Sequence, residues 1–380
     1  MLKIDPAWRR VHGAPRRGHI IVLTALFLIL MLGMVAFAID IGHLLMARTE
    51  LQRAADAAAL AAAWQLVGEG TPEADPIRTV LQARSSAYDF AAANSVCGSP
   101  LLVDPADVQV GRLLDHEDPA GELSFANASE ANAVEVRVVR SNALNGEVPF
   151  FFAPVFARHS ASSLAVARSV VWDNFSGFQI PKSGKNLPIL PIALSEELWE
   201  SIGEGADNWT WDSAQAEVVP GADGKFEINL YPQRIGAGGN SGTVRIGRSN
   251  NGTGELSRQI EHGIDSADLA DFGGKLEFDV TGEMNLGGDP GISNGIKNEL
   301  QAIVGQPRMI PIYRAVSGSG SNASYSIVKF VGVRIVEVQM TGNPKRVIIQ
   351  PASVVVQGGI PTSDPERRTN YIFAPAKLVQ

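Results

Sequence analysis

The sequence predicts an α+β protein. An N-terminal transmembrane helix continues into a long Ala-rich helix packed on an antiparallel sheet, and a mainly β C-terminal domain follows. Three observations carry this. Ile20–Ile39 is an uninterrupted run of 20 residues without a charge. The segment from Asp40 to Trp64 contains no proline and is dense in Ala, Leu, Gln, Glu and Arg, the strongest helix formers. Beyond Asp173, long helical patterns almost vanish, Gly, Pro, Asn and Ser increase, and short β-rich runs recur between turns.

The first element is the apolar run. At 1.5 Å per residue a helix of this length crosses roughly 30 Å of hydrocarbon. Ile20, Leu26, Leu30, Gly33, Phe37 and Ile39 mark its length as the candidate membrane anchor. A cleavable signal peptide is the alternative, but its apolar core runs about 7–15 residues and ends at small residues. Here the run continues directly into helix-forming sequence. Lys3, Arg9, Arg10, Arg16 and Arg17 precede it against Asp5 alone, while only Arg48 and Arg53 follow closely. The excess of positive charge places the N-terminus in the cytoplasm and the remainder outside.

Composition sets the wider limits. The 380 residues are 45% apolar and 19% charged, with a net charge of −8 and one cysteine. This excludes a disordered chain, a collagen and an internal disulfide framework. A pI near 5.4 without a basic stripe argues against nucleic acid as a partner. Residues 1–18 hold five basic residues and one acid, +4, so the rest of the chain carries −12. Four segments result: a basic cytoplasmic tail at 1–18, the transmembrane helix at 19–40, an α+β domain at 41–172 and the mainly β extracytoplasmic domain at 173–380.

The second element is the outer half of the long helix. Leu51, Ala55, Ala58 and Ala62 recur at helical spacing, and Arg48, Glu50, Arg53 and Asp56 lie largely on other faces. With Asp40 and Gly42 they form the candidate helix interface. Such a face either packs on its own domain or also receives a copy of the chain or another protein, so a homo-oligomer remains open.

At this point the residues resemble a known family. Arg16-Arg17-Gly18, the apolar span, Ala38-Ile39-Asp40-Ile41-Gly42 and the run from Ala47 to Ala63 look like the N-terminal module of TadG-like proteins, in the TadE/G-like family of Flp pilus-assembly proteins. Val134–Val139, Val148–Phe156 and Ser163–Arg168 are similar to the strand, "FFA" segment and closing strand that follow the helix there. The resemblance implies a pilin-like arrangement, a bacterial cytoplasmic-membrane location, other pilus-assembly or Tad secretion proteins as partners, and no enzyme. Pilins of this group that are processed by prepilin peptidase carry a Glu five residues after the cleavage glycine. After Gly18 that place is Leu23, so the resemblance implies anchoring rather than incorporation as a filament subunit.

Within 41–172, a second helical pattern runs from Pro72 to Tyr88 through Ile77, Val80, Leu81, Arg84 and Tyr88. Three alternating stretches, Val108–Leu114, Ala133–Val139 and Leu164–Trp172, predict a sheet of three or four strands. For Phe150-Phe151-Phe152 the expectation is a short helix turned into the core, with an exposed docking patch as the alternative. Cys97 sits in loop sequence as an incidental thiol, an intermolecular disulfide being the other reading. In the last segment, strands are expected at Phe226–Tyr231, Thr243–Ile246, Tyr325–Met340 and Arg346–Gln357. Helices are expected at Ser195–Ile202, capped by Ser195, and near Ser293–Val304.

The sequence offers no catalytic constellation, no cofactor motif and no metal-ligand spacing. The six histidines are dispersed, and Gly236–Gly242 leads into a strand pattern rather than the helix a phosphate-binding loop requires. Ser326 and Lys329 have the spacing of a serine–lysine pair but lie in a strand pattern. Asp207-Asn-Trp-Thr-Trp-Asp212 is the one candidate binding segment: Trp209 and Trp211 could stack on a sugar while Asp207 and Asp212 bind hydroxyls or calcium. The leading expectation is a structural, membrane-anchored envelope protein serving Tad/Flp pilus assembly or secretion. An adhesive β-domain and a membrane-tethered envelope hydrolase are the alternatives.

Overall fold

A computed structural model describes residues 19–68, 76–231, 241–247 and 252–379. The basic segment 1–18, most of the turn between the two N-terminal helices and positions 236–240 of the glycine-rich loop lie outside the described residues.

Helix α1, His19–Gln65, is continuous over 47 residues, about 70 Å at the α-helical rise. Its first half stands free of the protein. Its second half packs on helix α2, Pro76–Ala93, and on an antiparallel sheet. The sheet contains β1, Val108–Gly111, β2, Ala133–Arg140, and β3, Ser163–Val170, with β2 central: Val136 lies opposite both Val108 and Ala167. The fourth strand comes from far along the chain. Lys377–Val379 pairs antiparallel with β3, Lys377 opposite Val170. Covering an edge in this way removes a row of unpaired backbone groups.

Helix α2 buries Ala83, Ala87 and Ala91, while Ile77 and Leu81 point outward. Of the sequence pattern Ile77, Val80, Leu81, Arg84 and Tyr88, Val80 and Tyr88 pack against the core while the closest contact falls to the alanines, because α1 offers alanines here and only small residues let two helices come this close. Residue volume at the contact, not hydrophobicity alone, selected the buried stripe.

In the second half of the chain, β4, Ile192–Ser195, leads into helix α3, Glu196–Glu200. Ser195 caps α3 by accepting from the Leu198 N–H, as its sequence position predicts. Next come β5, Ser241–Val244, helix α4, Thr253–His262, and β6, Met284–Pro290. Helix α5, Lys297–Ala302, precedes β7, Pro307–Ser317, β8, Ala323–Gln339, and β9, Arg346–Pro351. Among the described residues, five of these strands close on themselves. β4 pairs with β5, β5 with β6, β6 with β8, β8 with β7, and β7 returns parallel to β4 with Ile312 opposite Leu194. Closure eliminates the open edges of those strands. β9 continues the ladder along the far half of β8, Ile335 opposite Ile349.

Both faces of these strands are buried. Tyr325, Ile327, Phe330, Met309 and Leu286 contribute to one hydrophobic cluster, and Val331, Val333, Ile335, Ile310 and Ile192 to another. This is why Tyr325–Met340 reads as a nearly continuous apolar run. Gly242 is required by packing: a Cβ there would collide with the Tyr325 hydroxyl.

Three elements of this half depart from the sequence reading. Helix α4 is a third helix, burying Leu256, Gln259 and Ile260 on one face, and its glycine-rich approach conceals that short periodicity. Strand β7 contains Pro307 and Pro311, residues that argue against a strand; Pro307 occupies its first position, where a missing donor is tolerated. The expected strand Phe226–Tyr231 is reduced to Ile228–Asn229, paired with β9.

The two halves are joined by a buried charged cluster. Asp173 lies 3.3 Å from Arg112 and 2.9 Å from Arg368, and Arg112 also donates to the Glu130 carbonyl. Both arginines compensate the buried carboxylate, and removing Asp173 would leave the buried Arg112 without its acidic partner.

Candidate functional site: the Asp40 clamp

Over residues 20–39, helix α1 presents its side chains outward all round. Ile20, Leu26, Leu30, Phe37 and Ile39 are exposed, and no atom approaches the place where a Cβ on Gly33 would sit. Ala36 alone in this stretch is half-covered. An exposed helix that is apolar all round is unsuited to water but matches hydrocarbon.

Asp40 is the first charged residue after this run and is only 4% exposed. Its carboxylate is held by three consecutive backbone donors. Phe151 N–H donates to Oδ1 at 2.7 Å, Ala153 N–H to Oδ2 at 2.6 Å, and Phe152 N–H reaches both oxygens, at 3.1 and 3.3 Å. These donors open the 3-10 turn Ala153–Phe156, so Asp40 caps that turn from another part of the chain. Charge-assisted bonds of this kind are stronger than neutral ones. His43, one turn further along α1, lies against the Phe151 ring, centroids 5.0 Å apart.

The clamped segment is the loop of a small hairpin. Val148–Pro149 pairs with Ser160–Ala161, Phe150 N–H donates to the His159 carbonyl at 2.9 Å, and Arg158 N–H closes on the Ala153 carbonyl. At the hairpin base Glu147 accepts from the Ser160 and Ser162 hydroxyls, which hold its carboxyl below the ordinary Glu range. The loop is the opposite of the expected core element. Phe151 and Phe152 are 63% and 44% exposed, and Val155 and Phe156 reach 85% and 78%. Capping by Asp40 spends the backbone donors of the turn on α1, and the phenyl rings project away from the domain.

The alanine face of α1 is turned inward. Leu51, Ala55, Ala58 and Ala62 have no exposed surface and pack with Ala83, Ala87, Val136 and Ala167 of α2, β2 and β3. Gly42 faces open space. The residues grouped by helical spacing therefore separate into three places: a bare apolar helix, the Asp40 clamp and a buried alanine seam. Cys97, half-buried with φ of 51°, donates its N–H to Glu50 of α1 at 2.8 Å.

In the aromatic segment near position 209, one of the two rings and both carboxylates already have partners. The Arg334 guanidinium lies 4.2 Å above the Trp211 ring. Asp207 accepts the N–H groups of Asp223 and Gly224, and Asp212 those of Ala214 and Gln215, so both carboxylates hold turns. Ser326 donates to Glu283, while Lys329 lies near Glu196. Among the described residues no group of three or more His, Cys, Asp or Glu side chains is placed to hold a metal ion.

Comparison with known families bears on the same region. Residues 18–65 match the family model described as Flp pilus-assembly TadE/G-like, and residues 61–168 match that described as Tad-like Flp pilus-assembly. Together the two matches span residues 18–168, here called the Tad module. No curated protein and no solved structure matches the chain significantly. The Tad module thus comprises the bare helix, the clamp, the alanine seam and β1 to β3. Of the clamp, sequence reasoning picked out Asp40 but not its partners. The signal available was a lone carboxylate at the end of an apolar span together with Phe-Phe-Ala, whose consecutive N–H groups lead into Pro154.

Proposed function

We propose that the protein is a single-pass anchor of the bacterial cytoplasmic membrane that positions components of a Tad/Flp pilus-assembly or secretion system. Its N-terminus is cytoplasmic, and the acidic remainder lies outside. The observation that carries this reading is one continuous helix whose first half is apolar and uncovered and whose second half is the spine of the Tad module. A soluble protein exposing so large an apolar surface would aggregate, whereas a bilayer covers it. The positive charge ahead of the span supports the orientation. No enzymatic step enters this mechanism: the membrane helix fixes location, the alanine seam makes helix and domain one body, and the β-rich half is held outward for partners. A homo-oligomer would use surfaces other than the buried alanines.

The test is topology and association. A periplasm-dependent reporter fused after Gln380 is expected to be active and the same reporter after Arg17 inactive; the reverse result overturns the orientation. Full-length protein should resist alkaline extraction from membranes and co-purify with other pilus-assembly proteins. Release by alkali, or purification alone, overturns the anchoring or the assembly role respectively.

A further inference from the structure

The clamped loop has a position that the anchor alone does not require. Phe151, Phe152, Val155 and Phe156 place four exposed apolar side chains within six residues. Asp40 binds the backbone of this loop and immediately follows the last residue of the apolar run. Ala36, one turn earlier and on the same side of α1, is the only half-covered residue between 20 and 39. The clamped loop therefore sits at the outer end of the span.

Resting on the anchor reading above, we infer that the loop at residues 150–159 is a second membrane contact, its phenyl rings seated at the boundary between lipid headgroups and acyl chains. The occupant is the phospholipid bilayer itself, because the patch is continuous with the helix that crosses it. On α1 the apolar exposure continues past Asp40 through Ile41, Leu45 and Met46. That adds about 9 Å of helix, enough to cross the roughly 5–8 Å of headgroup zone on one side of a bilayer. Arg158 and His159, both exposed, follow the apolar residues and supply cationic or polar groups at headgroup level.

A single helix passing through a bilayer leaves its outer domain free to tilt and rotate. A second apolar contact, fixed to the helix by three charge-assisted hydrogen bonds, would set one domain orientation. Asp40 is thus a positioning residue, buried by the loop it places.

The lone cysteine makes the test direct. In a Cys97→Ser background of the full chain, an environment-sensitive fluorophore is attached at Phe156→Cys, at Phe37→Cys within the span and at Leu114→Cys, an exposed apolar site elsewhere. The protein is reconstituted into phosphatidylcholine–phosphatidylglycerol vesicles containing lipids with a nitroxide high on the acyl chain. The label at position 156 should be quenched several-fold more than that at 114, and Asp40→Ala should reduce this quenching while the protein still floats with the vesicles. Equal quenching at 156 and 114 in floating protein overturns the second contact. Self-quenching at 156 that depends on protein density, without lipid quenching, assigns the patch to a second copy and also overturns it. Failure to float sinks the anchor reading instead, so the two failures are distinguishable.

Discussion

The Tad module and the β-rich half build their buried cores from opposite materials. In the module the seam is alanine: Ala47, Ala54, Ala55, Ala58, Ala59, Ala62 and Ala63 of α1 meet Ala83, Ala87 and Ala91 of α2, all fully buried. In the closed strands the core is bulky, with Tyr325, Phe330, Phe178, Ile310 and Ile335 among its members. The first arrangement depends on how closely backbones approach, the second on how much volume is filled. A core of small residues should fail by enlargement, and a core of large residues by truncation.

The largest expected effect is on the bulky side. Phe330 has no exposed surface and makes edge contacts with Phe178, centroids 5.1 Å apart, and with Phe278. Phe330→Ala should cost about 3–5 kcal/mol, read as a lower denaturation midpoint for the β-rich half in detergent-solubilised protein. A loss below about 1 kcal/mol would break the comparison from that side. On the other side, Ala58→Leu should cost about 1–3 kcal/mol by overpacking against α2 and the sheet. If the same change were neutral, the seam would have spare room and the contrast would be lost.

Asp40→Ala leaves the Phe151, Phe152 and Ala153 donors without their acceptor, about 1–3 kcal/mol for orphaned buried groups. The effect should be local: faster hydrogen exchange at those amides, with β6 to β8 unchanged. Asp40→Asn, which retains an acceptor oxygen, should lie between the two.

A smaller effect is pH-dependent. Burial pushes the Glu227 carboxyl up and neighbouring Asp207 adds to this, against the opposing pull of the Asn208 and Trp209 N–H groups that it accepts. With its folded value raised, its contribution is fully present below the unfolded value near 4.3 and is lost as pH rises through the folded one. Glu227→Gln keeps an acceptor for both N–H groups and should flatten this decline across the mildly acidic range. An unchanged pH profile by thermal unfolding would contradict that assignment. Smallest of all, Phe156→Ser should alter stability in detergent by no more than about 0.5 kcal/mol, since the ring touches little protein. A larger loss would show that the loop supports the domain rather than facing outward.

How much was legible depends on whether the signal was local. The uninterrupted helix over His19–Gln65 follows from an apolar run joined to proline-free, Ala-rich sequence. The Ser195 cap, the long strand β8 and the strand pattern of β2 could each be read from neighbouring residues. The strand Lys377–Val379 could not, because nothing in three residues specifies a partner two hundred positions away. Closure of the five strands was hidden for the same reason: it requires β7 to meet β4 in parallel, and neither sequence records the other.

The clamp shows the division most clearly. The sequence alone determined that a carboxylate stands at the end of an apolar span and that three phenylalanines stand in a row, since charge and hydropathy belong to single residues. Only the tertiary structure decided that the carboxylate takes the backbone of that loop, turns its rings outward and leaves the alanines to the sheet. Those outcomes depend on which backbone donors reach which oxygens and on how closely two surfaces fit, and both are properties of the assembled chain.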